Sequence, residues 1–364
     1  MMRRLIHRGR KIVGFLVLGL LFGFVSAGVI AQDGNLEETL QALSEDAAKQ
    51  YVAPLSSAFG TNLNGGWFHR APEAKMKAFH LEFGLVAMGT FFTEENRTFS
   101  TSGQFIFSVD EARQLVANAD PAVQNELIDL LTSQPSKVTI SGPTVIGSAT
   151  DRITILFPEK TFSTSVGPVT LPANQIELPV GGIQGLSELS ALPMGAFQFT
   201  VGTLVGSQLT LRFLPPITLE ENLGAFQYFG FGIQHNPFVW FNYSPLPFDL
   251  AASYSTQKME IGKLFVARAT SFGINASKRI GWGMLNITPY MGYMREHATM
   301  DVTYQYIVDT PGGQFVQDIT FQLQGENRDR ITFGVSVRVL VVNINADYNI
   351  GKYHSVTFGI NVII

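Results

Sequence analysis

The sequence predicts an all-β protein, namely an antiparallel transmembrane β-barrel with an N-terminal helix and a mixed helix and strand insertion. Three observations support this fold class. The chain begins with an export signal, its last segments alternate apolar and polar residues, and no later apolar run is long enough for a membrane helix. Among 364 residues, 29 are Phe and 35 are Gly, while only 15% are charged. Many short, aromatic and glycine-rich strands are typical of Gram-negative outer-membrane barrels.

Residues 1–31 have the features of a secretory signal peptide. Basic residues precede an apolar stretch at 12–25, and small-residue cleavage patterns end at Ala27 and Ala31. An uncleaved signal anchor is the alternative. The chain contains no cysteine, which excludes a disulfide framework and thiolate chemistry. Its formal net charge of −4 argues against a nucleic-acid partner.

The first element after the signal is a helix, predicted at 35–52 within an N-terminal region of residues 32–60. Asn35 and Glu38 have the spacing of a capping box, and apolar residues recur on one face of the helix. Pro54 is expected to end it. This helix is expected either in the periplasm or in the barrel lumen, and the barrel itself is expected at residues 61–364.

The barrel region is interrupted by an insertion at residues 93–194. Two helix starts are indicated there, at Ser108 and at Asp120, and short strand-like pieces follow between Gly, Ser and Pro residues. Insertions of this length between strands are usually plugs, lids or loop subdomains. We therefore expect the insertion to fold and to have a role of its own.

The closing strands, which begin at Ile331, Asn343 and Val356, have the clearest pattern in the chain. Every second residue is apolar, so each strand has one apolar and one polar face. In a soluble sandwich the apolar face would form the core, whereas in a membrane barrel it would contact lipid. The export signal and the loop lengths favour the barrel. We therefore predict that the apolar row from Ile331 to Ile364 faces outward.

The strand count follows from topology. The visible strand-like segments, the first of them at 62–71, are odd in number, whereas bacterial barrels have an even number of strands. We assign the missing crossing to residues 138–146, which gives about twelve strands, with ten to fourteen left open. A two-residue turn at Val342 and Asn343 would place Arg338 opposite Asp347.

The sequence contains no recognisable catalytic motif. It has no Gly-x-Ser-x-Gly, His-Glu-x-x-His or phosphate-binding loop, and its histidines lack the spacing of a metal pair. We expect no enzyme, no catalytic or metal residue and no cofactor. Polar side chains on the barrel strands are expected to line the lumen, either as a mutually paired filling or as a pathway or pocket. The lumen residues predicted in this way are His80, Glu82, Arg212, Gln234, Asp249, Arg268, Arg338 and Asp347.

Three stretches, at 62–71, 200–215 and 345–353, carry a resemblance that spans most of the mature chain. There the chain resembles an uncharacterised family of outer-membrane β-barrel proteins. It is more distantly similar to the FadL-type barrels, which carry hydrophobic compounds across the outer membrane and hold an N-terminal plug. The resemblance implies a barrel fold, but no FadL-type plug motif can be matched residue by residue.

These features predict a passive channel or uptake protein for small or hydrophobic compounds in the outer membrane of a Gram-negative bacterium. The expected partners are outer-membrane lipid and a small or hydrophobic solute, and the oligomeric state is left open. The main alternative is a structural or docking barrel with a plugged lumen and no transport. A barrel hydrolase using His80 and Glu82 and a soluble secreted β-sandwich are the remaining alternatives.

Overall fold

The computed structural model describes residues 45–107, 109–220, 224–241, 246–282, 284–310 and 313–364. The predicted signal peptide, the helix start at Asn35 and the cap at Ser108 lie outside the described residues. The chain divides into two compact units. The barrel unit contains residues Leu55–Phe92 and Leu189–Ile364, and the insertion unit contains residues 45–54 and Thr93–Glu188. Among the described residues, no helix is both long and apolar enough to cross a lipid bilayer.

The elements of the described residues are mostly strands. In chain order they are α1 (Glu45–Asn64), β1 (Lys77–Phe91), β2 (Thr98–Phe105), α2 (Val109–Leu115), α3 (Gln124–Ser133), β3 (Ser136–Pro143), β4 (Ile153–Phe157), β5 (Lys160–Thr164), β6 (Gly167–Leu171), β7 (Asn174–Leu178), β8 (Ala191–Leu204), β9 (Ser207–Glu220), β10 (Gly224–His235), β11 (Asp249–Ile261), β12 (Phe265–Ser277), β13 (Ile280–Trp282), β14 (Leu285–Thr310), β15 (Gly313–Gln324), β16 (Asp329–Val339), β17 (Val342–Ile350) and β18 (Ser355–Ile363).

A closed antiparallel barrel of ten strands forms the centre of the barrel unit, counted over the described part of the chain. Around the barrel the order is β1, β8, β9, β10, β11, β12, β14, β16, β17 and β18, and β18 pairs with β1 to close the ring. β13 and β15 pair with β14 outside this ring. In the insertion unit, β2, β3, β4 and β7 form a small sheet, and β5 pairs with β6.

The two faces of the barrel wall have opposite chemistry, and the apolar face is the exposed one. Phe333, Ile344 and Phe358 are 49%, 56% and 57% exposed. Their polar neighbours on the other face, such as Thr332 and Asn345, are 2% and 4% exposed. Alternation along a strand places these two sets on opposite faces. The predicted outward orientation of the apolar row from Ile331 to Ile364 is confirmed.

The barrel has ten strands rather than the predicted number of about twelve, at the lower end of the range that barrel topology left open. Residues 62–71 do not form a strand, and residues 138–146 contribute β3 to the separate sheet of the insertion unit. β1 pairs directly with β8, from Lys77 opposite Leu204 to Phe91 opposite Ala191. The chain therefore leaves and re-enters the wall at the same end, and no additional crossing is needed.

The predicted turn between the closing strands was wrong by two positions. Val339 pairs with Val342, so the turn is Leu340 and Val341, and Arg338 lies opposite Asn343. Asp347 lies opposite Gly334 instead. Leu340 has a φ of 57°, the left-handed conformation that this tight turn requires. The apolar alternation already breaks at Leu340, and this break marks the turn.

Helix α1 does not end at Pro54, as predicted, but continues to Asn64. Proline inside a helix removes one hydrogen bond and crowds the preceding turn. Beyond Pro54, however, Leu55, Ala58 and Leu63 are buried. Burying side chains of this kind contributes about 1.5–3 kcal/mol for each large one, which offsets the cost of the proline.

The two ends of the barrel carry different features. The C-terminal end carries Ile364 and the turn at Leu340, and the hairpin end carries the extension in which β14 pairs with β15. The connection between Phe91 and Ala191 lies at the hairpin end, because Thr90 pairs there with Leu192. The short turn between β8 and β9 lies at the C-terminal end.

Candidate functional site: a plug held in the lumen

A segment of the chain passes through the barrel lumen from one end to the other, and we call residues 55–72 the plug. At the hairpin end, Asn62 Nδ2 donates to the Leu192 carbonyl at 2.8 Å and Thr90 Oγ1 donates to Asn62 Oδ1 at 2.7 Å. At the C-terminal end, the Ala71 amide donates to Ser277 Oγ at 2.9 Å. Asn236 Nδ2 donates to the Pro72 carbonyl at 2.8 Å. The plug therefore occupies the length of the bore before the chain enters β1.

Arg212 of β9 holds the plug where helix α1 ends. Its Nη1 donates to the Gly65 carbonyl at 2.8 Å, its Nη2 donates to the Gly66 carbonyl at 2.7 Å, and its guanidinium carbon lies 4.1 Å from the ring centroid of Trp67. Arg212 is fully buried. The last carbonyls of a helix lack internal partners and carry partial negative charge, so a cation stabilises them. Arg212 thus closes the helix end and provides a cation–π contact at once.

Gly66 is a position where the plug requires glycine. Its φ is 67°, in the left-handed region, and this conformation commonly ends a helix. A Cβ at this position would lie 2.5 Å from Thr357 Cγ2 and 3.0 Å from Val86 Cγ2. The plug is therefore in direct contact with the inner faces of β1 and β18.

A second set of contacts holds the part of the plug nearer the C-terminal end. We call His69, Arg70, His80 and Glu82 the Glu82 cluster. Arg70 Nη2 donates to Glu82 Oε1, and His69 Nε2 lies 3.2 Å from Glu82 Oε2. His80 Nε2 lies 3.1 Å from Glu82 Oε1 and 2.8 Å from Arg70 Nη2. The Glu82 side chain is 2% exposed. Because His69 and Arg70 belong to the plug and the other two belong to β1, the cluster joins plug to wall.

Aromatic packing fills the space between these two sets of contacts. Phe68 and Tyr290 form an edge-to-face pair with ring centroids 6.0 Å apart, and with Met294 they form a buried apolar cluster. The Tyr290 hydroxyl donates to Asp347 at 2.9 Å. A second buried ionic contact, between Arg330 Nε and Glu296 Oε1 at 3.1 Å, lies on the inner faces of β16 and β14.

The predicted lumen residues fall into three groups. Glu82, Arg212, Gln234 and Asp347 are buried on the inner face, where Gln234 accepts a hydrogen bond from Asn275 at 3.0 Å. His80, Asp249 and Arg338 line a cavity at the C-terminal end. Arg268 is the exception and requires a correction.

Arg268 faces outward rather than into the lumen. Its neighbours on the inner face of β12 are Ala267 and Ala269, which are 2% and 1% exposed. The Arg268 side chain is 52% exposed and pairs with Asp301 at 2.6 Å on the outer surface. The prediction failed because small apolar residues occupy the inner face in this part of β12, so the polarity of a side chain no longer identifies the lumen side.

Sequence reasoning missed Trp67, His69 and Arg70, which make the central contacts of the plug. These residues were assigned to a strand, although Trp67 and Phe68 are adjacent and break the alternation. The pair Gly65 and Gly66 after a helical stretch is a signal for a helix end that could have identified the turn into the lumen. No group of three or more potential ligand side chains in the described ranges is arranged to hold a metal ion.

Comparisons with solved structures return outer-membrane proteins. The outer membrane protease OmpT from Escherichia coli shares 8% identity at a TM-score of 0.25, covering 80% of this chain and 97% of its own. OmpT of Vibrio cholerae, as a variant lacking loop L8, shares 10% identity at a TM-score of 0.21, covering 79% of this chain and 100% of its own. OmpF of Salmonella typhi, in complex with daunomycin, shares 10% identity at a TM-score of 0.16, covering 78% of this chain and 97% of its own. These TM-scores are too low to transfer any property to this chain.

No curated protein sequence matches the chain. The FadL-type similarity expected from the sequence finds no support in the matches described above. The expected membership of an uncharacterised family is supported by a family model that matches residues 10–364, nearly the whole chain. The chain belongs to this family, which is described as a family of unknown function (DUF6588).

Proposed function

We propose that the protein is a Gram-negative outer-membrane β-barrel that is sealed by its own plug and anchors the insertion at the cell surface. The observation that carries this proposal is the plug, which runs through the bore and is joined to the wall by Arg212 and Glu82. An open channel needs a continuous water path. Buried aromatic residues of the plug, Trp67 and Phe68, occupy that path.

The outward apolar face supports placement in a membrane. Exposed aromatic and branched residues surround the barrel, and Phe83, Phe197 and Phe213 stack side by side on its outer wall, with centroids 6.4 and 5.6 Å apart. Monomeric soluble proteins rarely expose apolar patches of this extent. Lipid is the partner that this face fits best.

The loop lengths support an orientation. In barrels of this kind the periplasmic turns are short and the outer loops are long. The tight turns at Leu340 and between β8 and β9 lie at the C-terminal end, whereas the long β14 and β15 extension lies at the opposite end. The C-terminal end is then periplasmic, and the strand ends that carry the insertion face the outside of the cell.

The experiment that tests the seal is conductance in planar lipid bilayers. We expect no conductance from the wild-type protein. Arg212→Met removes the donors that hold the carbonyls of Gly65 and Gly66, so we expect it to produce intermittent openings. Arg268→Met, which alters an outward-facing arginine, is the matched control and should stay closed. A stable conductance from the wild-type protein would overturn the proposal.

The orientation is tested by cysteine labelling, which is clean because the chain has no cysteine of its own. Val166→Cys lies at an exposed turn of the insertion, and Leu340→Cys lies at an exposed turn of the C-terminal end. A large membrane-impermeant maleimide should label the first variant on intact cells. It should label the second only after the outer membrane is permeabilised, and the reverse pattern would contradict the orientation.

Gated uptake of a small or hydrophobic compound is the second candidate function. One observation favours it: residues 65–71 have no strand pairing and are joined to the wall through side-chain contacts, so this segment can leave without breaking the barrel ladder. The same conductance experiment separates the two candidates. If the wild-type protein opens only when a solute is added, the uptake function replaces the sealed anchor.

A further inference from the structure

A cavity lies at the C-terminal end of the bore, between the last residues of the plug and the wall. Its volume is about 110 Å³, room for three to four water molecules at roughly 30 Å³ each. Arg70 of the plug and Glu73, which follows the plug in the chain, line one side of it. Arg279 and Arg338 line it from the wall side. From these contacts we propose that the cavity binds a phosphate group.

The charges around the cavity are not balanced within the protein. Arg70 pairs with Glu82, and Arg279 pairs with Glu73 at 2.7 Å. Glu73 also forms an ion pair with Lys75 at 2.5 Å. With Arg338 there are four cations, whereas the carboxylates are Glu73, Glu82 and Asp249, so one positive charge is in excess when the histidines are neutral.

Arg338 is the residue that carries the excess. Its Nε donates to the Leu340 carbonyl at 2.9 Å, and it forms no ion pair with any residue that the structure describes. It lies near two other cations, Arg70 and Arg279. A guanidinium has five N–H donors in a planar fork that matches the oxygens of a phosphate. An oxyanion in the cavity would relieve the repulsion among these arginines.

Hydroxyl groups complete the lining. Thr203, Ser277 and Thr288 come from three different strands, β8, β12 and β14, and all face the cavity. The Ser277 oxygen accepts from the Ala71 amide, which leaves its own proton free to donate. The Thr288 hydroxyl already donates to Asn286 Oδ1 at 3.4 Å, but the arginines and the Ser277 hydroxyl still place donors on several sides. Donors so arranged suit a tetrahedral oxyanion better than a planar carboxylate. The volume is sufficient for one phosphate group.

The phosphate group can come from two sources, free phosphate in the periplasm or the headgroup of an anionic phospholipid. Both present the same chemistry to Arg338. Because Arg70 belongs to the plug and Arg338 to β16, a phosphate bound between them would join the plug to the wall. Binding itself does not depend on the bore being sealed, so this inference and the proposed function can fail separately.

The test uses the full-length protein in a neutral detergent, titrated with sodium phosphate at constant ionic strength and followed by calorimetry. We expect saturable binding to the wild-type protein and at least tenfold weaker binding to Arg338→Gln. Arg268→Gln, whose arginine faces outward, is the matched control and should bind as the wild-type protein does. If Arg338→Gln does not fold, Arg279→Gln takes its place with the same expectation.

The second arm distinguishes the sources. The protein is reconstituted in nanodiscs of phosphatidylcholine with or without phosphatidylglycerol, and the lipid that stays bound after delipidation is measured by native mass spectrometry. A lipid headgroup is the ligand if phosphatidylglycerol stays bound to the wild-type protein, is displaced by free phosphate, and does not stay bound to Arg338→Gln. Binding of inorganic phosphate without retained lipid would identify the free ion. If neither probe distinguishes the wild-type protein from Arg338→Gln, the inference is wrong.

Discussion

The closing strands and the plug are held by different kinds of interaction. β16, β17 and β18 are joined by continuous ladders of backbone hydrogen bonds, and their outer face is apolar from Ile331 to Ile364. The plug from Gly65 to Ala71 has no ladder. It depends on a few buried side chains, chiefly Arg212 and Glu82.

This difference predicts how each region fails. In the wall, each backbone hydrogen bond contributes a modest amount, so a side-chain change should matter mainly where it alters how the outer face contacts its surroundings. In the plug, each buried charge satisfies several partners at once, and removing one leaves the others desolvated and unpaired. Inner-face charges should therefore control the plug, and outer-face apolarity should control the wall.

The largest effect is expected from Glu82→Gln, which removes the carboxylate that Arg70 and His69 share. Breaking a buried ion pair costs about 3–5 kcal/mol, and we expect about 3 kcal/mol because Arg70 retains some contact with solvent. Trp67 is the reporter, in a background where the exposed Trp240 and Trp282 are replaced by Phe. Its emission should shift to longer wavelength at a lower urea concentration than in the parent protein.

The matched control for this change is Glu260→Gln. Glu260 pairs with Lys258 in a partly exposed position on the outer face of β11. Exposed pairs contribute at most about 1 kcal/mol. If both variants release Trp67 at the same urea concentration, the burial of Glu82 is not what holds the plug.

A smaller effect is expected when a charge is placed on the outer face, as in Val335→Arg. Val335 lies near the middle of β16 and is 41% exposed. An arginine facing lipid costs about 2–4 kcal/mol at the centre of a bilayer, and we expect about 2 kcal/mol. The measurement is the unfolding midpoint in lipid vesicles compared with that in detergent.

The contrast with the plug lies in the pattern of loss. Val335→Arg should destabilise the barrel in vesicles and leave conductance at zero, because the plug contacts are on the other face. Val335→Leu keeps the apolar surface and is the control. An equal loss of stability in vesicles and in detergent would mean that the outer face does not contact lipid.

The same difference explains what could be predicted from the sequence. The faces of the closing strands were predictable. Alternation along the strands that begin at Ile331 and Val356 leaves two orientations, apolar face inward or outward, and the export signal favours the outward one. The turn at Leu340 and the orientation of Arg268 were not predictable. The break at Leu340 locates the turn only once the pairing of β16 with β17 is known, and Arg268 faces outward because Ala267 and Ala269 fill the inner face.

The plug was beyond periodicity for a physical reason. Its contacts join residues far apart in the chain, such as Arg212 and Gly65, and they are set by the shape of a closed barrel. His80 and Glu82 could be assigned to the inner face from their strand, but nothing near them in sequence indicates that His69 and Arg70 lie opposite. The helix-end signal at Gly65 and Gly66 and the adjacent Trp67 and Phe68, which break the alternation, were the local clues.

The smallest effect concerns Glu73, which lies outside the strands where the plug leaves the bore. Burial raises the pKa of its carboxyl, but the hydrogen bond with Lys75 and the charges of Arg279, Lys75 and Arg70 lower it more, so the net pKa lies below the ordinary value of 4.5. A carboxyl with a lowered folded-state pKa stabilises the fold above its unfolded pKa. That contribution is lost as the pH falls through the folded pKa.

We therefore expect Glu73→Gln to destabilise the protein by less than about 1 kcal/mol at pH 7, because exposed ion pairs are screened by solvent. At an acidic pH below this lowered pKa the wild-type carboxyl is protonated, so the difference between wild type and variant should shrink. Urea unfolding followed by Trp67 emission at both pH values measures this. A difference that stays constant between them would mean that the ion pairs with Lys75 and Arg279 do not stabilise the end of the plug, and that the wall contacts of Arg212 and Glu82 act alone.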